Sequence, residues 1–280
     1  MILILECGST KSDWSVISKE GVENRFSGDG INPSTIEYNL LREHIKDGVA
    51  SIEKPEDIKK IYHYGAGVSG KEQEEILSEI YTHYFPHSAI EVNNDVVAAV
   101  RSTLGNKEGI VCILGTGSNS CYFDGQCIAA NYNGLGHMIG DEGSGVDLGT
   151  RIIKLFYSES LPPHIKKELE PELGNRSAFV KKLYNHPKPN RYLATFAKFA
   201  GTFKDEMVVR EEIRDAFQHL IRNYLSKYPK VQELPINFVG SISIHFKEIL
   251  EEVLSEKGLT MGTIVLKPIH QLEIFHTKDL

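Results

Sequence analysis

Two segments of the sequence share one layout: an apolar strand-like run, a turn of glycine and hydroxyl residues, and a second strand-like run. In the first, Met1–Glu6 leads into Cys7–Ser12 (the first turn), and in the second, Gly109–Leu114 leads into Gly115–Ser120 (the second turn). Glycine lets the backbone turn tightly and approach a ligand, and turn amides beside hydroxyl groups suit a bound anion. Either segment alone is more typical of an ordinary β-hairpin. The pair indicates two related half-molecules, each with a phosphate-binding turn, that close on a nucleotide.

Length and charge agree with that interpretation. The 280 residues exceed a typical single domain, so two domains are expected. The net charge of −7 argues against nucleic acid or an anionic membrane as the main partner. The sequence opens on a strand pattern without a basic leader, and no apolar run approaches the roughly 18 residues that span a membrane. We therefore expect a soluble cytoplasmic protein.

The four cysteines give no pattern typical of a metal or redox site. Cys7, Cys112, Cys121 and Cys127 form no Cys-x-x-Cys pair and lie in strand-like contexts. Buried free thiols are the favoured interpretation, ahead of a disulfide or a metal site.

Strand and helix patterns alternate along the chain, which predicts an α/β architecture. The segment Leu104–Gly109 is the best candidate for the domain boundary. Inward-facing aromatic and aliphatic residues predict one or two long helices over Asn190–Tyr228, and Pro268–Lys278 is predicted to be a final helix.

Asp95 follows a predicted strand and starts a predicted helix. An aspartate there is often a helix N-cap, which stabilises a helix by about 1 kcal/mol. However, ligands gather at the carboxyl ends of strands in α/β sheets. A carboxylate at this position could accept the proton of a substrate hydroxyl during phosphoryl transfer.

The segment Gly134–Gly145 (the glycine-rich segment) carries two adjacent acids, Asp141 and Glu142. Its glycine spacing is not that of a dinucleotide-binding fingerprint. The acids could cap the following helix, but we favour a polar wall for a small hydroxylated ligand. The turn Val239–Ser241 could lie against an adenine or ribose, and Gly28–Ser34 is either a simple turn before a helix or part of a ligand site.

In this order, these segments resemble the N-acetylglucosamine kinase group of the BadF/BadG/BcrA/BcrD-type ATPases, within the actin/hexokinase/heat-shock-ATPase superfamily. The matching segments are Leu5–Lys11, Asn94–Asp95, Leu114–Asn119, Gly136–Ser144 and Phe238–Ser241. The resemblance implies an α/β fold with two ribonuclease-H-like (actin-like ATPase) domains around an inter-domain cleft. It also implies domain limits of 1–105 and 106–267, with a C-terminal helix at 268–280 that packs back on the first domain. Relatives often form a homodimer.

The resemblance also implies a role for individual residues. The nucleotide-binding residues would be Ser9, Thr10, Lys11, Gly115, Thr116, Gly117, Ser118, Gly240 and Ser241. The sugar-binding residues would be Asn32, Ser69, Asp95, Gly136, His137 and Asp141. Asp95 would be the general base that accepts the proton of the primary hydroxyl of an amino sugar, with N-acetylglucosamine favoured, as ATP donates its terminal phosphate.

Two positions depart from the family pattern. Family members usually have aspartate where this chain has Glu6. The aspartate helps to place Mg²⁺ through water, and Glu6 would have that role here. Some sugar kinases of the group have tryptophan where Leu135 stands, so stacking on the sugar would be weaker or the substrate different. The alternatives are an ATPase that drives a partner protein, as the iron–sulfur activases of the broad family do, and a regulatory nucleotide-binding protein without kinase activity.

Overall fold

The structure, a computed structural model, describes residues 1–8 and 11–280. Ser9 and Thr10, which we expect to bind nucleotide, lie outside the described residues. The chain forms two units: unit 1 is Met1–Asn106 with Lys267–Leu280, and unit 2 is Lys107–Leu266. The limits of the two units differ by one residue from the domain limits expected from the sequence.

Unit 1 begins with three strands and continues with alternating helices and strands. Its elements up to the end of the first chain segment are β1 (Ile2–Cys7), β2 (Lys11–Ser18), β3 (Gly21–Asp29), α1 (Tyr38–Ala50), β4 (Lys60–Gly65), α2 (Lys71–Tyr84), β5 (Ala89–Asn94) and α3 (Asp95–Thr103). The strands form one sheet in the order β3-β2-β1-β4-β5. Strand β1 is antiparallel to β2 and parallel to β4, and β4 is parallel to β5.

Strand β1 is buried on both faces, which explains its nearly continuous apolar sequence. Successive side chains of a strand point to opposite faces. Leu3 and Leu5 therefore pack in one core with residues of α1 and α2, whereas Ile2 and Ile4 pack in a second core on the other face. Layers on both faces hold the sheet in place.

Unit 2 repeats the plan of unit 1 with more helices. Its elements are β6 (Gly109–Leu114), β7 (Ser118–Phe123), β8 (Ile128–Ala130), α4 (Gly145–Tyr157), α5 (Pro163–Leu173), α6 (Arg176–Tyr184), α7 (Pro189–Thr195), α8 (Ala197–Thr202), α9 (Met207–Asn223), β9 (Ile236–Val239), α10 (Ser241–His245), α11 (Lys247–Glu256) and β10 (Met261–Val265). Its sheet order, β8-β7-β6-β9-β10, is the order of unit 1 strand for strand. The predicted α/β fold with two related halves is confirmed.

The last helix, α12 (Pro268–His276), belongs to unit 1. It packs against α3, β1 and β2, and Leu272 is fully buried there beside Ile4. At the same place Glu273 accepts hydrogen bonds from Ser15 Oγ at 2.6 Å and from Arg25 Nε at 2.6 Å. The end of the sequence therefore completes the second core of unit 1.

The prediction of one or two long helices over Asn190–Tyr228 is wrong, because three helices, α7, α8 and α9, cover most of that segment. Helix α8 ends at Gly201 and Thr202, two residues with poor helix propensity, and a turn over Phe203–Glu206 precedes α9. Within the part of the chain that the structure describes, no helix is long and apolar enough to cross a bilayer.

Candidate functional site

Polar residues of unit 1 follow three neighbouring parallel strands where each strand ends. Cys7 of β1 pairs with Gly65 of β4, and Gly65 pairs with Asn94 of β5. The first turn, the loop that carries Ser69, and Asp95 therefore begin in one row across the sheet. This carboxyl edge is where ligands bind in α/β sheets.

Asp95 is not the cap of the helix that it begins. The preceding residue, Asn94, has the extended conformation of an N-cap, and its side-chain oxygen accepts the Val97 amide at 3.1 Å. Asp95 is the first helical residue, and it is half-buried. Burial raises the pKa of Asp95, while hydrogen bonds from the Val96 amide and its own amide lower it. A carboxylate with these properties is suited to accept a proton.

Glu6 lies next to two other acids. It pairs with Asp13 across the first turn, because β1 and β2 are antiparallel. Burial, and then the negative charges of Asp13 and Asp95, raise the pKa of Glu6 to about 7, against the smaller opposing effects of Lys11 and Lys267. These three carboxylates therefore create a negative potential beside the first turn.

The carboxylates of Glu6, Asp13 and Asp95 fit a magnesium ion that is held mainly by waters and substrate phosphates. Magnesium prefers oxygen ligands and usually binds through one or two carboxylates, waters and substrate phosphates. Among the described residues, no three His, Cys, Asp or Glu side chains are close enough together to form a metal site by themselves. A cation that reached Glu6 through water would lower the mutual repulsion of Glu6, Asp13 and Asp95.

Asp13 and Lys267 lie near the first turn but are not among the site residues expected from sequence. Lys11 Nζ contacts Asp13 Oδ1 at 2.7 Å, and Lys267 Nζ lies 4.0 Å from Asp13 Oδ2. Asp13 could have been inferred from the hairpin register that places it opposite Glu6. Lys267 gives no such signal, because it comes near the end of the chain, directly before α12.

The two expected sugar-binding residues Asn32 and Ser69 lie in adjoining loops of unit 1. Asn32 is buried, and its side-chain oxygen accepts the Ser34 amide at 3.0 Å. An added Cβ on Gly67 would lie 2.0 Å from that same oxygen, so the loops are in close contact. Ser34 Oγ donates to the Gly67 carbonyl at 2.6 Å, and Ser69, an exposed residue, donates to Gln73 Oε1 at 3.3 Å.

In unit 2, the amino end of α4 orients the peptide groups of the second turn. The amide of Gly145 donates to the Gly115 carbonyl at 2.9 Å, and that of Val146 donates to the Thr116 carbonyl at 3.0 Å. Because the carbonyl and the N–H of a trans peptide point in opposite directions, the amides of Thr116 and Gly117 point away from α4. Two successive amides directed to one side of a turn form an anion-binding concavity.

The amide that follows those of Thr116 and Gly117 in the second turn is already bonded. Ser118 N–H donates to Asp141 Oδ1 at 2.9 Å, and the Asp141 side chain is buried. An added Cβ on Gly117 would lie 2.8 Å from both oxygens of this carboxylate. The Ser118 hydroxyl is buried without a hydrogen-bond partner in the described part of the chain. The structure thus brings Asp141, expected to bind sugar, against a turn expected to bind phosphate.

Gly240 and Ser241 lie beside the second turn. Gly240 directly follows β9, the parallel neighbour of β6, and has a positive φ of 114°. An added Cβ on Gly240 would be 2.4 Å from the Leu114 carbonyl oxygen and 3.3 Å from the Gly115 nitrogen. All expected nucleotide-binding residues of unit 2 therefore meet at the carboxyl edge of its sheet.

The remaining expected sugar-binding residues, Gly136 and His137, lie in the exposed part of the glycine-rich segment. The Gly136 carbonyl accepts the Gly140 amide at 2.9 Å, which closes a tight loop. The apolar side chains of Leu135, Met138 and Ile139 are exposed at its tip. His137 is near enough to Asp141 to lower the pKa of that carboxyl, although burial is the larger effect and raises it.

The cysteines are free thiols, as the sequence indicates, but the expectation that they are all buried is wrong for Cys127, because it lies in the turn between β7 and β8 and not in a strand. Cys7, Cys112 and Cys121 are buried, whereas Cys127 is exposed. Cys7 belongs to unit 1 and the other three to unit 2. Burial raises the pKa of the Cys121 thiol to about 12, which makes it a poor nucleophile.

Comparison with known proteins identifies the family of this chain. The sequence profile of the BadF/BadG/BcrA/BcrD ATPase family matches residues 7–273. The chain belongs to this family. The match begins at Cys7, the last residue of β1, and includes both turns, Asp95, the glycine-rich segment and Gly240–Ser241, so the family resemblance inferred from sequence is confirmed.

Similar proteins carry sugar-kinase names. A solved structure from Porphyromonas gingivalis, described as a candidate N-acetylglucosamine kinase, is 35% identical with a TM-score of 0.94 and covers 100% of this chain and 99% of its own. N-acetyl-D-glucosamine kinase of Dictyostelium discoideum is 22% identical over 90% of this chain and 88% of its own length. N-acetylmuramic acid/N-acetylglucosamine kinase of Clostridium acetobutylicum is 34% identical over 127 residues. That match spans less than half of each protein, 44% of this chain and 42% of the relative.

Proposed function

We propose that the protein is an ATP-dependent sugar kinase that phosphorylates the primary hydroxyl of an amino sugar, most favourably N-acetylglucosamine. The family, the names of the similar proteins and the residues at the sheet edges support the same reaction. The alternatives, an ATPase that drives a partner protein and a regulatory nucleotide-binding protein, have no comparable support.

The observation that carries the proposal is the environment of Asp95. Asn94 caps α3, so Asp95 is not the capping residue of that helix. It is half-buried at the carboxyl edge of the unit 1 sheet, and burial raises its pKa. A base with a raised pKa takes a proton more readily from a hydroxyl as the new P–O bond forms. Asp95 would thus orient the acceptor hydroxyl and receive its proton.

Unit 2 would supply most of the contacts to ATP. The amides of Thr116 and Gly117 would bind phosphate oxygens, and Gly240 with Ser241 would border the adenosine. From unit 1, Lys11 would contact the outer phosphates. Phosphoryl transfer needs little covalent chemistry from the protein, so fixed amides and charges that match the transition state would provide most of the rate.

Magnesium would be the metal cofactor, with Glu6 as its contact through water. Bound magnesium neutralises phosphate charge during transfer. Glu6 has one more methylene group than the aspartate usual in the family, so its carboxylate would reach further from β1. The acceptor sugar would contact Asn32, Ser69 and Asp95 of unit 1, and Gly136, His137 and Asp141 of unit 2.

A coupled ADP-release assay tests the proposal across N-acetylglucosamine, glucosamine, N-acetylmuramic acid and glucose, with magnesium or with EDTA. We expect ADP release that depends on both an amino sugar and magnesium, with the highest kcat/KM for N-acetylglucosamine. ADP release that is the same with and without sugar would instead support the ATPase alternative. No release with any sugar would support the regulatory alternative.

A further inference from the structure

Asp141 joins two parts of unit 2 that have separate expected roles. Its backbone belongs to the glycine-rich segment, whereas its carboxylate accepts the Ser118 amide of the second turn at 2.9 Å. Asp141 has a positive φ of 68°, a conformation that costs a residue with a side chain roughly 1 kcal/mol or more. Such a conformation persists only where the surrounding contacts enforce it.

Those contacts are present on both sides of Asp141. The Asp141 carbonyl accepts the Ser144 amide at 3.1 Å, and the Gly143 amide donates to Asp147 Oδ2 at 2.9 Å. Asp147 is in turn held by Arg151, whose Nε lies 2.8 Å from Asp147 Oδ1. The backbone around Asp141 is therefore fixed to the amino end of α4, the helix end that also orients the second turn.

On its other side, the Asp141 carboxylate fills the space next to Gly117. An added Cβ there would approach both carboxylate oxygens to 2.8 Å, so only glycine permits this contact. This bond directs the Ser118 amide of the second turn toward Asp141 and fixes the turn. Only one of the acceptor positions of the carboxylate is used by this bond, and a carboxylate has about four.

We propose that Asp141 is a positioning residue for the nucleotide: it holds the phosphate-binding turn of unit 2 through the Ser118 amide and so couples sugar binding to nucleotide affinity. This inference rests on the proposed function. A sugar hydroxyl that bonds to a remaining acceptor position of Asp141 would restrain the carboxylate and, through Ser118, the amides of Thr116 and Gly117. Sugar binding would then favour the turn geometry that binds phosphate.

Two substitutions at position 141 separate this role from a direct sugar contact. Asp141→Gly removes the acceptor and tolerates the positive φ, whereas Asp141→Asn retains a side-chain oxygen and is also tolerated at positive φ. Glu142→Gln is the matched control, because Glu142 Oε1 accepts from Asn223 Nδ2 at 3.0 Å and from Tyr224 at 3.2 Å, away from the second turn.

The probe is the non-hydrolysable nucleotide AMP-PNP with magnesium, titrated by calorimetry first without sugar and then with saturating N-acetylglucosamine. Loss of a hydrogen bond to a charged acceptor costs about 1.5–3 kcal/mol, so we expect the Kd without sugar to rise about tenfold or more in Asp141→Gly. In Asp141→Asn and Glu142→Gln, the Kd for AMP-PNP without sugar should stay within about twofold of that of the unsubstituted protein. Sugar should lower the Kd of the unsubstituted protein about fivefold or more, and that of Asp141→Gly less than about twofold.

The inference is overturned if Asp141→Gly binds AMP-PNP without sugar as tightly as the unsubstituted protein and loses only sugar affinity. It is also overturned if Asp141→Asn weakens AMP-PNP binding as much as Asp141→Gly, since the acceptor would then not matter. If the unsubstituted protein binds no AMP-PNP, the proposed function fails along with the inference. Should Asp141→Gly not fold, Gly117→Ala, which displaces the same carboxylate, replaces it in the titration.

Discussion

Substitution of Gly117 by alanine tests the packing of the second turn against Asp141. An alanine Cβ would lie 2.8 Å from both Asp141 oxygens, and this short, buried side chain has no flexible end that could move aside. The Ser118–Asp141 hydrogen bond should therefore break or lengthen. A hydrogen bond to a charged group contributes about 1.5–3 kcal/mol to stability.

Alanine also lowers the conformational entropy of the unfolded chain, which offsets about 0.4–1 kcal/mol of the stability lost with the hydrogen bond. We therefore expect Gly117→Ala to lower the free energy of unfolding by about 1–2 kcal/mol. Gly115→Ala is the matched control for stability, because an added Cβ at Gly115 meets nothing within 4 Å. It should leave the free energy of unfolding unchanged or raise it by up to about 1 kcal/mol.

Urea unfolding followed by far-ultraviolet circular dichroism is the suitable assay. The single tryptophan, Trp14, lies in unit 1 and would not report directly on unit 2. If Gly117→Ala is as stable as the unsubstituted protein, or if Gly115→Ala is equally destabilised, the reasoning about the Asp141 contact is wrong.

Three further predictions concern unit 1. Asp95→Asn should lower kcat about 100-fold or more and leave the Kd for AMP-PNP within about twofold, since only the base is lost. An undiminished kcat would refute the assignment of Asp95 as the general base. His63 is fully buried, and burial lowers its pKa to about 3, so between about pH 6.5 and 3 only the unfolded chain takes up that proton. The free energy of unfolding should thus fall with decreasing pH, by up to about 1.4 kcal/mol per pH unit. With unfolding followed by Trp14 fluorescence, His63→Gln should show a smaller dependence of the free energy of unfolding on pH. An equal pH dependence in the two proteins would contradict this. Leu272→Ala, at a fully buried position of α12, should cost about 2–5 kcal/mol in urea unfolding, and a loss below about 1 kcal/mol would show that α12 contributes little to unit 1.

The parts of the fold that could be predicted from sequence are those with local signals. Apolar runs that end in glycine and hydroxyl residues mark β1 and β6, and the repeat of that pattern predicted two related halves. The break between α8 and α9 was missed because the inward-facing pattern continues on both sides of it. Phe199 of α8 packs against the same core that contains the buried Ile213 of α9, although a turn separates the two helices.

At the candidate site, sequence predicts which residues take part but not the contacts that they make. Asn94 and Asp95 are both suitable caps, and only the backbone geometry shows that Asn94 has this role. The bond between Ser118 and Asp141 joins residues 23 positions apart, across β7 and β8. No periodicity or propensity predicts such a pairing, because it depends on how the glycine-rich segment folds back onto the second turn.

We propose that the protein moves the terminal phosphate of ATP to the primary hydroxyl of an amino sugar. The most direct test of this proposal compares N-acetylglucosamine with its 6-deoxy analogue, which lacks only that hydroxyl, in an ADP-release assay with the product identified by ³¹P NMR. We expect ADP release and a 6-phosphate with N-acetylglucosamine, and neither with the analogue. Equal ADP release with both sugars, or a phosphate on another hydroxyl, would contradict the account.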